Sequence, residues 1–185
     1  RMLKYINYKN GFYIECGAND GVNQSNTWYF EKQLGWKGLL IEPVEKVFVE
    51  LKKNRSKKNF FTNKALKSFN YNKKYAYLKL DLNDSLSTRS SEDNIKTRIK
   101  IRVKAQNLNS ILDKIRAPKL IDFFSLDVEG DEFEVLNGIN FNRYKFKYIL
   151  IETYHLNKIK IFFNKHGYKY VKKMSGRNDH LFKIN

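Results

Sequence analysis

The stretch FYIECGANDG, Phe12 to Gly21, decides the reading of this chain. A β-prone, mostly apolar run stops at Gly17, with Glu15 just before it and Asn19 and Asp20 just after. An apolar strand that breaks at glycine into polar residues reads as a strand-to-helix turn, because glycine takes tight backbone turns without steric cost. Gly17 is expected to let a ligand come close to the backbone, where a side chain would fill the space. Glu15 is expected to accept hydrogen bonds from a ligand ammonium or from the loop that follows.

Downstream of the turn, short apolar strands alternate with helical segments, the pattern of an α/β sheet. SNTWYFEKQLGW (Ser25 to Trp36) carries Trp28, Phe30 or Glu31, and Leu34 at helical spacing, with Ser25 as N-cap and Gly35 as the stop. GLLIEP (Gly38 to Pro43) is a buried strand ended by proline. EKVFVELKKN (Glu45 to Asn54) is a helix with Val44, Val47, Phe48 and Leu51 on one face. NFFTNKAL (Asn59 to Leu66) reads as one third strand, YAYLKLDL (Tyr75 to Leu82) as another, and NDSLSTRSSEDN (Asn83 to Asn94) as a polar loop. RIKIRVKA alternates Ile99, Ile101 and Val103 with basic residues, as a half-buried sheet edge does. A short helix NLNSILDKI, a strand LIDFFSLDV, a helix EFEVLNGI, a strand FKYILIE and a helix LNKIKIFFNKHG follow. YKYVKKM and DHLFKI, joined by SGRN, close the chain as a hairpin.

With 185 residues and no long linker, residues 1–185 are expected to form a single domain. The chain is 42% hydrophobic and 15% aromatic, which excludes a disordered segment. Apolar runs such as LLI (Leu39 to Ile41) fall far short of the roughly 20 residues of a membrane span, and the opening RMLKYINYKN lacks signal-peptide architecture. The expected location is cytoplasmic. The single cysteine, Cys16, lies within the first strand and reads as core, not as a nucleophile. A formal charge of +17, from 36 Lys and Arg against 19 Asp and Glu, has two readings. It can attract polyanions such as nucleic acid. It can equally follow from A/T-rich codons, since Lys, Asn, Ile, Phe and Tyr are over-used together.

In an open parallel sheet, ligands bind beyond the carboxyl ends of the strands. Three strands end in acids there: IECGANDG, LLIEP with Glu42, and FFSLDVEGDE with Asp127 and Glu129. Burying carboxylates is costly without partners, so three such ends mark a polar pocket. Glu42 suits acceptance from two ribose hydroxyls. The turn has neither a full GxGxxG nor a GxxxxGK[ST], which points away from dinucleotides and nucleoside triphosphates. An adenosine with a cationic tail, S-adenosylmethionine, fits better.

FYIECGANDGVNQSNTWYFEKQLGWKGLLIEP, NKAL from Asn63, IDFFSLDVEGDEFEVLNGINF and YILIE together resemble the FkbM-type methyltransferase family from about Gly11 to Phe182. The resemblance implies a class I methyltransferase, Rossmann-like fold: a seven-stranded, mostly parallel sheet with a C-terminal antiparallel hairpin and helices on both faces. It implies a cofactor held by Glu15, Gly17, Ala18, Asn19 and Asp20, with Glu42 on the ribose and Asp127 near the reactive end. Ser25, Asn26 and Thr27 match the family's SNT and are expected to cap the first helix or line the pocket. The family usually has Asp where this chain has Glu15. Only about ten residues precede the first strand, which implies a small substrate lid or one domain of a longer polypeptide.

Methyl transfer to a hydroxyl needs an acceptor oxygen in line with the methyl group and a base for its proton. Asp127, Glu129, Glu152 and His155 are the candidates at this sheet edge, and His155 titrates in the useful range when unperturbed. Asp127, Glu129 and Glu152 could also hold a divalent metal. His166 and His180 read as structural. Because the resembled family often modifies sugars, the expected acceptor is a sugar or glycan hydroxyl. RNA is the alternative, and should leave a basic, aromatic-bearing face beside the pocket and a steep salt dependence. A binding module that has lost catalysis is the third reading.

Overall fold

A computed structural model describes residues 2–81, 88–89, 98–174 and 178–185. The polar loop expected at Asn83 to Asn94 and the SGRN turn fall largely outside the described residues. The first strand forms where expected, as β1 (Phe12–Cys16). It lies at the centre of the main sheet, between β2 (Lys37–Ile41) and β8 (Leu120–Leu126), and is parallel to both. β3 (Phe60–Thr62) extends the sheet beyond β2, and β9 (Lys145–Glu152) runs parallel to β8. The hairpin of β10 (Tyr168–Lys173) and β11 (Asp179–Ile184) is antiparallel and inserts β11 next to β9.

The resulting order is β10-β11-β9-β8-β1-β2-β3, seven strands of which β11 alone runs against the rest. The chain leaves β1 in one direction through β2 and β3, then returns to β8 on its other side. That reversal opens a crevice at the carboxyl ends of β1 and β8, where ligands bind in doubly wound sheets. It is the class I methyltransferase, Rossmann-like arrangement.

Both faces of the sheet are covered, as buried parallel strands require. Tyr13 of β1, Leu40, Phe123, Leu150 and Leu181 face α1 (Trp28–Leu34) and α2 (Glu45–Asn54), which contribute Phe30, Phe48 and Leu51. Phe12, Ile14 and Cys16 point to the opposite core. There they meet α3 (Leu108–Lys114), α4 (Glu132–Leu136) and α5 (Leu156–Lys165). The register of β1 therefore decides which side chains enter which core. The second core is rich in aromatic rings: Phe163 is fully buried, with centroids 4.7 Å from Phe182, 5.6 Å from Tyr168 and 5.7 Å from Phe162. No helix among the described residues is long and apolar enough to cross a membrane.

Two elements differ from the sequence expectation. NFFTNKAL is not one strand: it breaks after Thr62, and β4 (Ala65–Leu66) pairs in parallel with β7 (Arg98–Gln106) instead. The Asn63 amide makes the break, donating to the Glu42 and Pro43 carbonyls at 3.0 Å each. β5 (Tyr75–Asp81) pairs antiparallel with β7, and β6 (Thr88–Arg89) with β5. These strands build a second sheet, β4-β7-β5-β6, outside the seven. The alternation in RIKIRVKA serves this sheet: Val103 is buried while Arg102 and Lys104 are exposed.

Because Phe163 joins α5 to the hairpin through ring contacts alone, Phe163→Ala should cost about 3–5 kcal/mol. A denaturant midpoint within error of wild type would show that α5 does not depend on this packing.

Candidate active site

Beneath the turn after β1 lies a buried polar cluster centred on Arg55, the C-cap residue of α2. Its side chain is fully buried. Nε donates to Glu31 Oε2 at 2.8 Å. One terminal nitrogen donates to the Gly21 carbonyl and Ser25 Oγ, both at 3.1 Å, and lies 3.4 Å from Glu15 Oε2. The other donates to Tyr13 Oη at 2.8 Å and Thr27 Oγ1 at 2.9 Å. Burial alone would raise Glu31, but the Ser56 N–H and the Arg55 guanidinium outweigh it and bring the carboxyl down to about 2. No buried side-chain nitrogen or oxygen among the described residues lacks a partner.

Glu15 belongs to this cluster. It is 3% exposed and accepts from Ser25 Oγ, the Asn26 N–H at 2.7 Å and Thr27 Oγ1 at 2.5 Å. Of the two expectations for Glu15, the bonds seen here are those from the loop. Ser25 behaves likewise: its hydroxyl accepts the Trp28 N–H at 3.1 Å, so it caps the first turn although the regular helix begins three residues later. Asn26 is exposed and donates to Ser125 Oγ at 3.0 Å. Thr27 is buried. Ala18 is core, and the N–H groups of Gly17 and Ala18 both go to the Ile41 carbonyl. Asp20 Oδ1 closes the next turn by accepting from the Val22 and Asn23 N–H groups.

Three predicted residues do converge. Gly17, Glu42 and Asp127 line one cavity at the carboxyl ends of β1, β2 and β8, with Cys16 and Ile41 behind them. Lys64, Leu66, Leu78, Val128 and Asp131 complete the walls, so the second sheet roofs the strand ends through Leu78. An ion pair from Lys67 to Asp131, 2.6 Å long, holds that roof to the start of α4. Gly17 has φ +76, and a Cβ there would stand 1.8 Å from the Asp127 carbonyl oxygen. The positive φ is the tight turn expected of this glycine, and the close approach of β8 is a further reason that no side chain fits there. Cys16 is fully buried; burial, then the Glu15 charge, pushes its thiol well up, which agrees with its reading as core.

Glu42 is 7% exposed and accepts the Asn19 N–H at 3.1 Å through one oxygen and the Val44 N–H at 2.9 Å through the other. Each oxygen retains a lone pair for a further donor. Burial pushes the carboxyl up to about 7, against the pull of those two N–H groups. Asp127 is raised by burial and then by Glu152, whose carboxyl is hydrogen-bonded to it. Glu152 closes β9 directly opposite Asp179. The Glu129 charge nearby pushes Asp127 the same way.

The remaining predicted residues lie elsewhere. Glu129 is exposed, with φ +54, and does not line the cavity. His155 is exposed at the N-cap of α5 and is likewise absent from the cavity wall. Among the described residues no three His, Cys, Asp or Glu gather in metal-binding geometry, so Asp127, Glu129 and Glu152 do not form the metal set the sequence offered. His166 stacks on Phe141 at 4.5 Å and His180 is buried beside Tyr170, both structural. Sequence reasoning missed Arg55 and Glu31. One signal was available: the chain has 8 arginines against 28 lysines, so an Arg inside the lysine-rich ELKKNRSKK marks a place where the planar fork is needed.

A model of the methyltransferase FkbM domain matches residues 15–170. Among solved structures, the chain is similar to a methyltransferase FkbM from Methylobacillus flagellatus KT, at 12% identity and a TM-score of 0.61, covering 98% of this chain and 45% of that one. It is also similar to the METTL16 methyltransferase domain, at 14% identity and a TM-score of 0.57, covering 99% of this chain and 63% of that domain. The chain therefore spans less than two thirds of either structure. No curated protein matches it.

Two outcomes follow from this geometry. Arg55→Lys keeps the charge but loses the fork, and should cost about 1–3 kcal/mol because one ammonium cannot meet all the buried acceptors that the guanidinium meets; an unchanged denaturant midpoint would refute the cluster's role. Glu42 has a folded pKa near 7 against 4.5 for the free group. It therefore exacts no penalty below pH 4.5 and increasingly opposes folding as pH rises through 7, by up to roughly 3 kcal/mol. Compared with wild type, Glu42→Gln should gain relative stability between pH 5 and pH 8, beyond a constant offset for the lost acceptor. Parallel pH profiles would contradict the buried acid.

Proposed function

The chain is a member of the methyltransferase FkbM domain family, and on that premise we propose that it transfers a methyl group from S-adenosylmethionine to a hydroxyl of a sugar or glycan. One observation carries the reading: Glu42 and Asp127, from separate strands, line a single cleft across Gly17. Glu42 would hold the ribose through the lone pairs left after its two backbone bonds. The Asn19–Asp20 turn stands at the same edge, and its fold is held from below by the Glu15 and Arg55 cluster. The cleft is partly open to solvent, with Leu66 and Leu78 along one side of its wall.

S-adenosylmethionine supplies an electrophilic methyl carbon, whose bond to sulfur breaks as the bond to the acceptor oxygen forms. The protein must orient the hydroxyl and take its proton. Asp127 lines the cleft, and burial followed by the neighbouring Glu152 charge raises its proton affinity. In the deprotonated form it would accept the hydroxyl proton, and its raised affinity brings that capacity near neutral pH. Ile41, Leu66 and Val128 offer apolar surface to the carbon face of a ring.

RNA as acceptor is favoured by one feature. Tyr75, Tyr77 and Lys79 of β5 alternate along one face of the second sheet, beside Lys100, Arg102 and Lys104 of β7. Lys100 lies 4.4 Å from the Tyr77 ring centre and Arg102 4.5 Å from that of Tyr75. This is the basic, aromatic-bearing face that single-stranded RNA uses.

Glu42→Ala should weaken S-adenosylmethionine binding by roughly 1–3 kcal/mol in a calorimetric titration; wild-type affinity would remove the ribose assignment. Asp127→Asn should slow methyl transfer about 100-fold or more, whereas His155→Ala should leave it near wild type. The reverse pattern in a labelled-methyl assay over sugars, glycans and small RNAs would return the base to the histidine.

A further inference from the structure

Alongside the cleft runs a groove of about 730 Å³, between the start of α2 and the second sheet, and the two share Pro43 and Lys64 in their walls. Its charged lining is unbalanced: Lys46, Lys64, Arg102 and Lys104 against the single acid Glu45. No ion pair among the described residues neutralises these four cations. Lys64 donates to the neutral Gln106 side chain, and burial together with the Lys114 and Lys104 charges holds its ammonium below the ordinary lysine range. Tyr75 supplies an aromatic wall with the Arg102 guanidinium over its ring.

Like charges gathered without counterions are unfavourable in the free protein, and the repulsion is relieved by an anionic ligand. Scattered lysines from biased composition do not explain this place, where residues from α2, the β3–β4 link and β7 converge and acids are nearly absent. The volume suits a ligand of one or two rings. It does not suit a long strand, which needs an extended track with several stacking platforms. An anion in the groove would be tied to whatever occupies the cleft, because Lys64 borders both.

Resting on the proposed transfer to a saccharide, we propose that the acceptor is anionic, a sugar bearing phosphate, sulfate or carboxylate groups, with its charge held in this groove by Lys64, Arg102 and Lys104. The cations would select and orient it while the hydroxyl faces Asp127.

The test compares wild type with Arg102→Gln/Lys104→Gln. Binding would be measured for a sulfated heparin disaccharide, glucuronic acid, glucose 6-phosphate, neutral maltose and polyuridylate at low and moderate salt. S-adenosylmethionine affinity would be measured in the same samples. At least one anionic saccharide should bind wild type, bind at least 10-fold more weakly to the double variant, and weaken with salt, while maltose does not bind and cofactor affinity is unchanged in the variant. Which anionic probe binds best identifies the charged group. Maltose binding as well as the anionic sugars, or polyuridylate alone binding with a steep salt slope, would overturn the proposal. Loss of cofactor binding by wild type would instead defeat the methyltransferase reading on which it rests.

Discussion

One buried arginine fixes the shape of the turn at the sheet's working edge. Arg55 joins α2 to β1 through Tyr13, to α1 through Glu31, and to the turn after β1 through Gly21, Ser25 and Thr27. A guanidinium taken out of water this completely is tolerable only because its donors are met, two of its partners being carboxylates. The cluster does the work that a glycine-rich phosphate loop does in other doubly wound folds: it gives a polar turn one shape. Glu15, the acid nearest to the turn, takes part in this task through Ser25, Asn26 and Thr27.

Above the cluster, the fold makes a cleft from parts distant in sequence. Gly17, Glu42 and Asp127 each follow the last residue of a different strand. Their meeting depends on β8 pressing against the turn, close enough that only glycine fits beneath the Asp127 carbonyl. The second sheet then lays Leu78 over the opening. Because β4 is reached through only Asn63 and Lys64 after β3, the roof is anchored to the same strand end that carries Glu42.

Much of this arrangement was legible in the sequence. Strand and helix periods pointed to an α/β sheet, the glycine after β1 and the acids at strand ends marked the cleft residues Gly17, Glu42 and Asp127, and the family resemblance implied the seven strands. What escaped is tertiary. Glu15 carries the same charge whether it meets a ligand or a guanidinium, and only the tertiary fold brings Arg55 beneath it. NFFTNKAL carries no glycine or proline to mark a break, and the Asn63 amide that divides it acts through carbonyls about twenty residues away. His155 lies at a strand end in sequence, yet the start of α5 carries it into solvent.

Cys16 closes the strand on which all of this is built, with its sulfur in the core behind the cleft and its proton held tightly. A thiol in that state is inert to alkylating reagents while the sheet is intact, since the thiolate is the reactive species. The rate at which it is labelled therefore measures how often the central strand parts from its neighbours, and the protein carries its own gauge of opening at the point where a bound molecule would be felt first.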